Sequence, residues 1–76
     1  MEKLLQILSD LRPDLDFSAQ TRLMDDGILD SFDIIALVAE LGDAFDVAIN
    51  VSHLTPENFN SAVAIYALVR RLGGEN

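Results

Sequence analysis

Gly-Ile-Leu-Asp-Ser-Phe, residues 27–32, joins a long polar segment to an amphipathic helical pattern. Asp30 has the side chain of a good N-cap, and Asp33 three residues later predicts a shortened capping box. Because Asp30 already fills the capping role, Ser31 in the first turn keeps an unused hydroxyl near the partial positive end of the helix. The stretch therefore predicts a helix that begins at Ser31 and a serine that can be modified without unfolding the chain.

The residues after Ser31 predict a helix with two apolar faces over about 31–45. At about 100° per residue, one face collects the side chains that we expect in the core, namely Ile34, Leu37, Val38, Leu41 and Phe45. A second group on another side consists of Phe32, Ile35, Ala36 and Ala39, bordered by the acids Asp33, Glu40, Asp43 and Asp46. An apolar strip framed by charge is typical of a binding face, so we expect this outer strip to be exposed. The alternative is that a small bundle buries both faces of its central helix.

A shorter helix and a long loop precede this stretch. Apolar residues recur at helical spacing before Pro13, which predicts a first helix over about residues 2–12. The loop that follows, 13–29, is longer than compact domains usually tolerate. We therefore expect its apolar residues, above all Phe17 and Leu23, to anchor it against the core.

The C-terminal third of the chain predicts two further helices. Residues 46–51 alternate like a strand, but no partner strand is predicted and we expect an extended connection. Thr55 as N-cap and Pro56 at the first helical position predict a short third helix. The last helix has a cap at Asn60 or Ser61, core residues Val63, Ile65, Tyr66, Leu68, Val69 and Leu72, and a C-terminal end at Arg70, Arg71 and Gly73. The sequence thus predicts one all-α domain over residues 1–76, a small four-helix bundle of three main helices and one short helix, with the long loop between helices one and two.

The composition limits the kinds of protein that this chain can be. Its 76 residues are half apolar and include no cysteine, which allows a modest core and excludes disulfides, thiolate metal sites and a cysteine nucleophile. No apolar run approaches the roughly 20 residues of a membrane span, and the first residues lack the basic and apolar blocks of a signal peptide. We expect a cytoplasmic monomer that does not insert into membranes.

The net charge of −8 is concentrated in the middle of the chain. Between residues 14 and 46, nine acids accompany Arg22 alone, whereas four acids and four bases balance elsewhere. Such a surface repels nucleic acid and anionic lipid, because both are bound through lysine and arginine. We therefore expect protein partners with basic docking surfaces. The alternative is that the acids only confer solubility.

Little in the sequence supports catalysis or metal binding. His53 is the one histidine, and a lone histidine in a loop is usually a solvated residue. The acids lack the spacing of an EF-hand loop, because neither Gly27 nor Gly42 follows a leading aspartate at the required distance. The chain has no glycine-rich phosphate loop and no set of nucleophile, base and oxyanion donors. We expect neither an enzyme nor a metal site.

Ser31 differs from the other serines by its position. Ser31 lies inside the acidic segment and begins the helix that carries the outer strip. Neither Ser9, Ser18, Ser52 nor Ser61 combines these two properties. A helix N-terminus favours an attached phosphate, whereas the nearby Asp25, Asp26, Asp30 and Asp33 would repel it. The acids therefore suit a basic partner that acts on what Ser31 carries better than they suit a phosphate cradle.

The pair Asp30-Ser31 at the start of helix two is followed at regular spacings by Phe32, Ile35, Leu37, Leu41, Phe45, Val47 and Ile49. This pattern resembles the acyl carrier protein family over essentially the whole chain. The resemblance implies that a phosphopantetheinyl transferase esterifies Ser31 with 4′-phosphopantetheine, whose thiol then carries an acyl or aminoacyl group as a thioester between enzymes. It also implies that Asp30 assists the transferase and its magnesium ion, and that helix two docks partners through Phe32, Asp33, Ile35, Ala39, Glu40 and Asp43.

Departures from the fatty-acid carrier pattern bear on the cargo. Phe32 stands where fatty-acid carriers usually have leucine, and Ala36 and Gly42 stand where they often have acids. The run Gly-Ile-Leu-Asp-Ser is more similar to stand-alone carriers and to D-alanyl carriers of cell-wall modification. Such carriers are commonly loaded by an adenylate-forming ligase, whereas carriers of fatty acid or secondary-metabolite biosynthesis meet several acyl-transferring enzymes. An alternative from another class is a non-covalent acidic helical interaction domain in which Ser31 only starts a helix.

Overall fold

The computed structural model describes residues 2–17 and 19–73. Within these ranges the chain forms α1 (Glu2–Leu11), α2 (Ser31–Phe45), a 3₁₀ turn (Val51–His53), α3 (Pro56–Phe59) and α4 (Ala62–Arg71), and no strand. This confirms the predicted all-α class with three main helices and one short helix. Helix α1 packs against α2 and α4, and α3 packs against α4. In the described part of the chain, no helix has the length and apolarity that crossing a membrane requires.

Helix α2 has the predicted bounds, and its two ends have clear physical causes. Asp30 is in an extended conformation, and its Oδ1 accepts a hydrogen bond of 2.9 Å from the backbone N–H of Asp33. At the other end, Asp46 adopts the left-handed conformation with a φ of 56°, which ends a helix much as glycine does. Residues 47–50 then continue without regular secondary structure.

The sequence did not predict the 3₁₀ turn that follows. Asn50 caps it, because its Oδ1 accepts from the N–H of Ser52 at 3.1 Å. The ring Nδ1 of His53 accepts from the N–H of Asn50 at 3.1 Å, and this completes the capping box. His53 is half-buried, and the sequence did not predict that its ring closes a turn.

The core is formed by all four helices and by the long loop. Its buried side chains are Leu4, Leu8, Phe17, Leu23, Leu29, Ile34, Leu37, Leu41, Phe45, Phe59, Ala62, Ile65, Leu68 and Val69. The predicted loop anchors Phe17 and Leu23 are thus confirmed, and Val38 of the predicted α2 face is half-buried. One core assignment was wrong, because Val63 at the start of α4 is 71% exposed.

Asn60 fixes the second half of the long loop. Its side-chain Oδ1 accepts from the N–H groups of Met24 and Asp25, both at 3.0 Å, and its Nδ2 donates to the Asp25 carboxylate at 3.0 Å. Its carbonyl also accepts from the N–H of Leu23 at 2.9 Å. Of the two predicted caps for α4, the structure therefore uses Ser61, whose Oγ accepts from the N–H of Ala64.

Thr55 precedes Pro56 as predicted, but its side chain does not cap α3. Its Oγ1 is buried and has no hydrogen-bond partner among the described residues. The start of α3 therefore rests on the proline at its first position, which fixes φ at a helical value, and on the Thr55 carbonyl, which accepts from the N–H groups of Asn58 and Phe59 at 3.0 Å.

Candidate functional site

Ser31 is the first residue of α2, and its side chain is exposed. Asp30 performs the capping, so the Ser31 hydroxyl is not needed to start the helix. Asp30 is itself exposed, and its second carboxylate oxygen makes no hydrogen bond within the described ranges. The structure thus places an accessible hydroxyl beside an accessible carboxylate. The serines Ser9 and Ser52 are also exposed, and Ser18 lies outside the described residues.

Asp33 does not occupy the surface position that the sequence predicted. Its carboxylate is only 17% exposed and accepts a hydrogen bond of 3.0 Å from Nη1 of Arg12. Its side chain therefore turns toward α1, and the capping box is only half formed, through the Asp33 backbone N–H and Asp30. A paired, half-buried carboxylate attracts an incoming basic partner less than a free one does, because the charge of Arg12 offsets it.

The outer strip of α2 is exposed as predicted. Phe32 is 79% and Ile35 is 66% exposed, and Ala39 is exposed as well. Only Ala36 is half-buried. These values contradict the alternative in which the bundle buries both faces of its central helix. Large apolar side chains next to Ser31 form a patch of the kind that docks a partner.

An apolar cleft adjoins Ser31. It has a volume of about 370 Å³ and is lined by Asp30 and Ser31 together with Met24, Leu29, Ile34, Ile35 and Leu54. The sequence did not predict the contributions of Met24 and Leu54, because Met24 lies in a loop without a periodic pattern and Leu54 comes from a segment distant in the chain. An isolated apolar residue in a polar loop, as Met24 is, gives the only sequence signal. A second cavity of about 400 Å³, lined by Leu5, Phe17 and Val63 among others, does not include Ser31.

The acids near Ser31 fall into two groups. Three are engaged inside the protein: Asp25 accepts from Asn60, Asp26 pairs with Arg22 at 3.0 Å, and Asp33 pairs with Arg12. The hydrogen bond and charge of Asp26 raise the pKa of the Arg22 guanidinium. The others, Asp30, Glu40 and Asp43, are exposed and form no ion pair in the described part of the chain. The unpaired charge near Ser31 therefore lies along α2 and at Asp25, whose partner Asn60 is neutral.

The described residues include no group of three or more histidine, cysteine or acidic side chains placed to hold a metal ion. The Nδ1 of His53 accepts a hydrogen bond from the N–H of Asn50. No contact among the described residues links His53 to Ser31. The site therefore combines an exposed hydroxyl, a capped helix start, an adjoining apolar cleft and an exposed apolar strip.

Comparison with known protein families identifies the family of the chain. The family model described as "Phosphopantetheine attachment site" matches residues 2–69. The chain belongs to this family. It is 39% identical over 67 residues to the D-alanyl carrier protein of Lactococcus lactis subsp. cremoris, strain MG1363, a match that covers 88% of this chain and 80% of that protein. The D-alanyl carrier protein of Lactococcus lactis subsp. lactis, strain IL1403, matches to the same extent. No solved structure matches the chain.

Membership of the phosphopantetheine family defines the cofactor and the class of function. The chain is a carrier protein that takes a covalent 4′-phosphopantetheine arm. Carriers of this family are not catalysts, so the chain is not an enzyme. Its partners include a phosphopantetheinyl transferase and enzymes that handle acyl groups. The residues present fit the group, because Ser31 has a free, exposed hydroxyl beside a cleft large enough for part of the arm.

Proposed function

We propose that Ser31 is the residue that bears the arm, and that the arm carries an acyl or aminoacyl group as a thioester between partner enzymes. The observation that carries this proposal is the placement of an exposed serine at the start of α2, with its capping role already filled by Asp30. Attachment joins the Ser31 Oγ to the phosphorus of the pantetheine phosphate of coenzyme A. The 3′,5′-ADP leaves, and the hydroxyl proton passes to a base of the transferase.

Asp30 assists this modification in our proposal. It lies next to Ser31, is exposed and has one carboxylate oxygen not used in the cap. An oxygen of this kind suits the magnesium ion of a transferase, since magnesium prefers carboxylate and phosphate oxygens. The supporting geometry is thus a carboxylate on the same helix turn as the acceptor hydroxyl.

The outer strip docks the partner enzymes. Phe32, Ile35 and Ala39 supply apolar contact, and Glu40 and Asp43 supply exposed negative charge beside it. Charge of this kind increases association rates with basic surfaces more than it increases affinity. We predicted that Asp33 would steer partners together with Glu40 and Asp43. Because Arg12 holds its carboxylate, we now assign the steering to the exposed acids.

D-alanine is the second candidate for the cargo. It is favoured by the similarity to the D-alanyl carrier proteins of Lactococcus lactis, and it would require an adenylate-forming ligase as the loading partner. The apolar lining of the cleft beside Ser31 favours an acyl group with an apolar chain over the amino-bearing D-alanyl group. Intact mass of the protein from its own host distinguishes the two, because each cargo adds a discrete mass to that of the arm.

The attachment site is tested by incubating the purified protein with coenzyme A and a phosphopantetheinyl transferase of broad specificity. Mass spectrometry should show the addition of one arm to the wild type and none to Ser31→Ala. Ser9→Ala is the matched control, because Ser9 is also exposed but lies on α1, and it should be modified normally. An arm on Ser31→Ala, or none on the wild type while a control carrier is loaded, would overturn the proposal.

A further inference from the structure

Arg12 connects three segments that meet at the start of α2. It directly follows α1, and its backbone is held by hydrogen bonds from its N–H to Leu8 and from Leu15 to its carbonyl. Its Nη1 donates both to the carbonyl of Ile28 at 2.9 Å and to Oδ2 of Asp33 at 3.0 Å. Its Nε and Nη2 donate to the Asp14 carboxylate at 3.3 and 3.2 Å. The guanidinium thus bridges the loop and the helix.

The two contacts of Nη1 lie on either side of Ser31. Ile28 is three residues before the serine, and Asp33 is two residues after it. The first contact fixes the backbone that leads into the helix, and the second fixes the first turn from its inner side. Arg12 does not line the cleft that adjoins Ser31. A single nitrogen of the residue that follows α1 therefore limits how far the Ser31 segment moves relative to the rest of the bundle.

Residues 28–30 need a contact such as that of Arg12 because they follow an open turn at Gly27. Gly27 has a φ of 69°, a conformation that glycine adopts without strain, and nothing lies within 4 Å of where its Cβ would be. Residues 28–30 thus leave an open turn and continue directly into α2. Leu29 is held by a hydrogen bond from its N–H to the carbonyl of Leu23 at 2.9 Å, and Ile28 is held by Arg12.

We propose that Arg12 is a positioning residue for the modification of Ser31. This inference rests on the proposed attachment at Ser31. Arg12 acts by keeping the first turn of α2, and with it the Ser31 hydroxyl, in place relative to the rest of the helix, so that a transferase docked along Ile35 and Ala39 meets the hydroxyl in reacting geometry. Removing the guanidinium leaves the strip intact and therefore affects the turnover of the docked complex, kcat, more than KM.

The expected size follows from the sensitivity of reactions to alignment. A misplacement of about 1 Å in a reacting group can cost about 100-fold in rate. The Asp30 cap and the Leu29–Leu23 hydrogen bond remain in Arg12→Gln, so a displacement of about half that size is expected. The activation free energy rises roughly in proportion to the displacement, so about half the displacement costs about one factor of ten instead of two. We therefore expect kcat to fall about tenfold, while KM changes less than about twofold.

Three variants separate positioning from charge and from general stability. Arg22→Gln is the matched control, because it makes the same charge change in the same loop and breaks only an exposed pair with Asp26. Asp14→Asn keeps both contacts of Nη1 and should leave kcat unchanged. Arg12→Lys should restore part of kcat, because one nitrogen makes both contacts and an ammonium can replace it. All variants are assayed at a temperature at which circular dichroism shows them fully folded.

The decisive experiment measures transferase kcat and KM for these variants with coenzyme A as the donor. The proposal is supported if Arg12→Gln lowers kcat about tenfold with little change in KM and Arg12→Lys recovers part of it. It is overturned if Arg12→Gln has wild-type kcat, if it changes only KM, or if Arg22→Gln or Asp14→Asn lowers kcat equally. Failure of the underlying attachment appears differently, since the wild type would then accept no arm at all.

Discussion

The hydrogen bonds of Asn60 allow a quantitative test of how the long loop is held. We expect Asn60→Ala to destabilise the protein by about 2 kcal/mol without unfolding it. The substitution removes three side-chain hydrogen bonds, two from the N–H groups of Met24 and Asp25 and one to the Asp25 carboxylate. The Asn60 carbonyl still accepts from the N–H of Leu23, so the loop keeps one contact with the α3–α4 junction.

The magnitude depends on how well water replaces each bond. The contact to the Met24 N–H is partly buried, and losing a buried partner costs about 1–2 kcal/mol. The contacts to Asp25 are exposed, and water replaces them at a cost of a few tenths of a kcal/mol each. The sum is about 2 kcal/mol, which lowers the midpoint of thermal unfolding by about 10 °C in a domain of this size.

Asn58→Ala provides the matched control. Asn58 also makes two side-chain hydrogen bonds, from its Nδ2 to the His53 carbonyl at 3.0 Å and from Arg71 to its Oδ1 at 2.9 Å, but neither involves the loop. Hydrogen exchange followed by NMR distinguishes the two variants. Asn60→Ala should accelerate exchange at Met24 and Asp25, and Asn58→Ala should leave both amides protected.

The result that would refute this reasoning is equally specific. If the amides of Met24 and Asp25 exchange at the wild-type rate in Asn60→Ala, their hydrogen bonds to Asn60 do not hold the loop. Equal stability of Asn60→Ala and the wild type would likewise show that water replaces all three contacts. The same variant also tests the cleft, since Met24 lines it: a loosened loop should expose more apolar surface beside Ser31 and bind more of a hydrophobic dye.

Two further predictions concern docking and pH. Phe32→Ala or Ile35→Ala should raise the KM of the transferase about 5- to 30-fold, the equivalent of about 1–2 kcal/mol for an interface anchor. Val63 is equally apolar and exposed but lies on α4, so Val63→Ala should leave KM unchanged. Similar effects at all three positions would contradict the docking strip. Asp14→Asn should lower the urea midpoint at pH 7 but not in acid. The hydrogen bond from Arg12 lowers the pKa of Asp14 from its usual 3.8. A carboxylate whose pKa is lowered in the folded state stabilises the fold only while it is ionised. The two midpoints should converge as the pH falls through that lowered pKa, and a constant difference would exclude the ion pair as the cause.

The helices were predictable because their signals are local. The bounds of α2 follow from the cap at Asp30 and from apolar spacing, and the structure reproduces both ends. The exposure of Phe32 and Ile35 was predictable for the same reason, since a single helix cannot direct two opposite faces at one small core. The core assignment of Val63 is wrong because Val63 precedes the buried Ile65 by two residues, and at about 100° per residue this places it on the opposite side of α4.

The contacts that hold the Ser31 segment were not predictable from the sequence. Arg12 and Ile28 are 16 residues apart, and Asn60 and Met24 are 36 apart. Which polar side chain meets which loop carbonyl or N–H depends on the packing of helices, and no periodic pattern encodes it. Asn60 was considered only as a helix cap, because a short polar residue before a helix is normally one; the neighbouring Ser61 could take that role, which left Asn60 free to bind the loop.

The structure also changes how the charge of the chain should be interpreted. Counting acids assigns a net charge of −8 to the segment between residues 14 and 46, yet the carboxylates of Asp25, Asp26 and Asp33 bind partners within the protein. The ion pairs of Asp26 with Arg22 and of Asp33 with Arg12 contribute little to steering, because a dipole's field decays faster with distance than that of a single charge. Asp25 is bonded to the neutral Asn60 and keeps its full charge. The steering field should therefore originate mainly from unpaired acids, Glu40 and Asp43 on α2 and Asp25 in the loop before it. This localisation favours docking over solubility as the role of these acids, since solubility alone requires no particular placement.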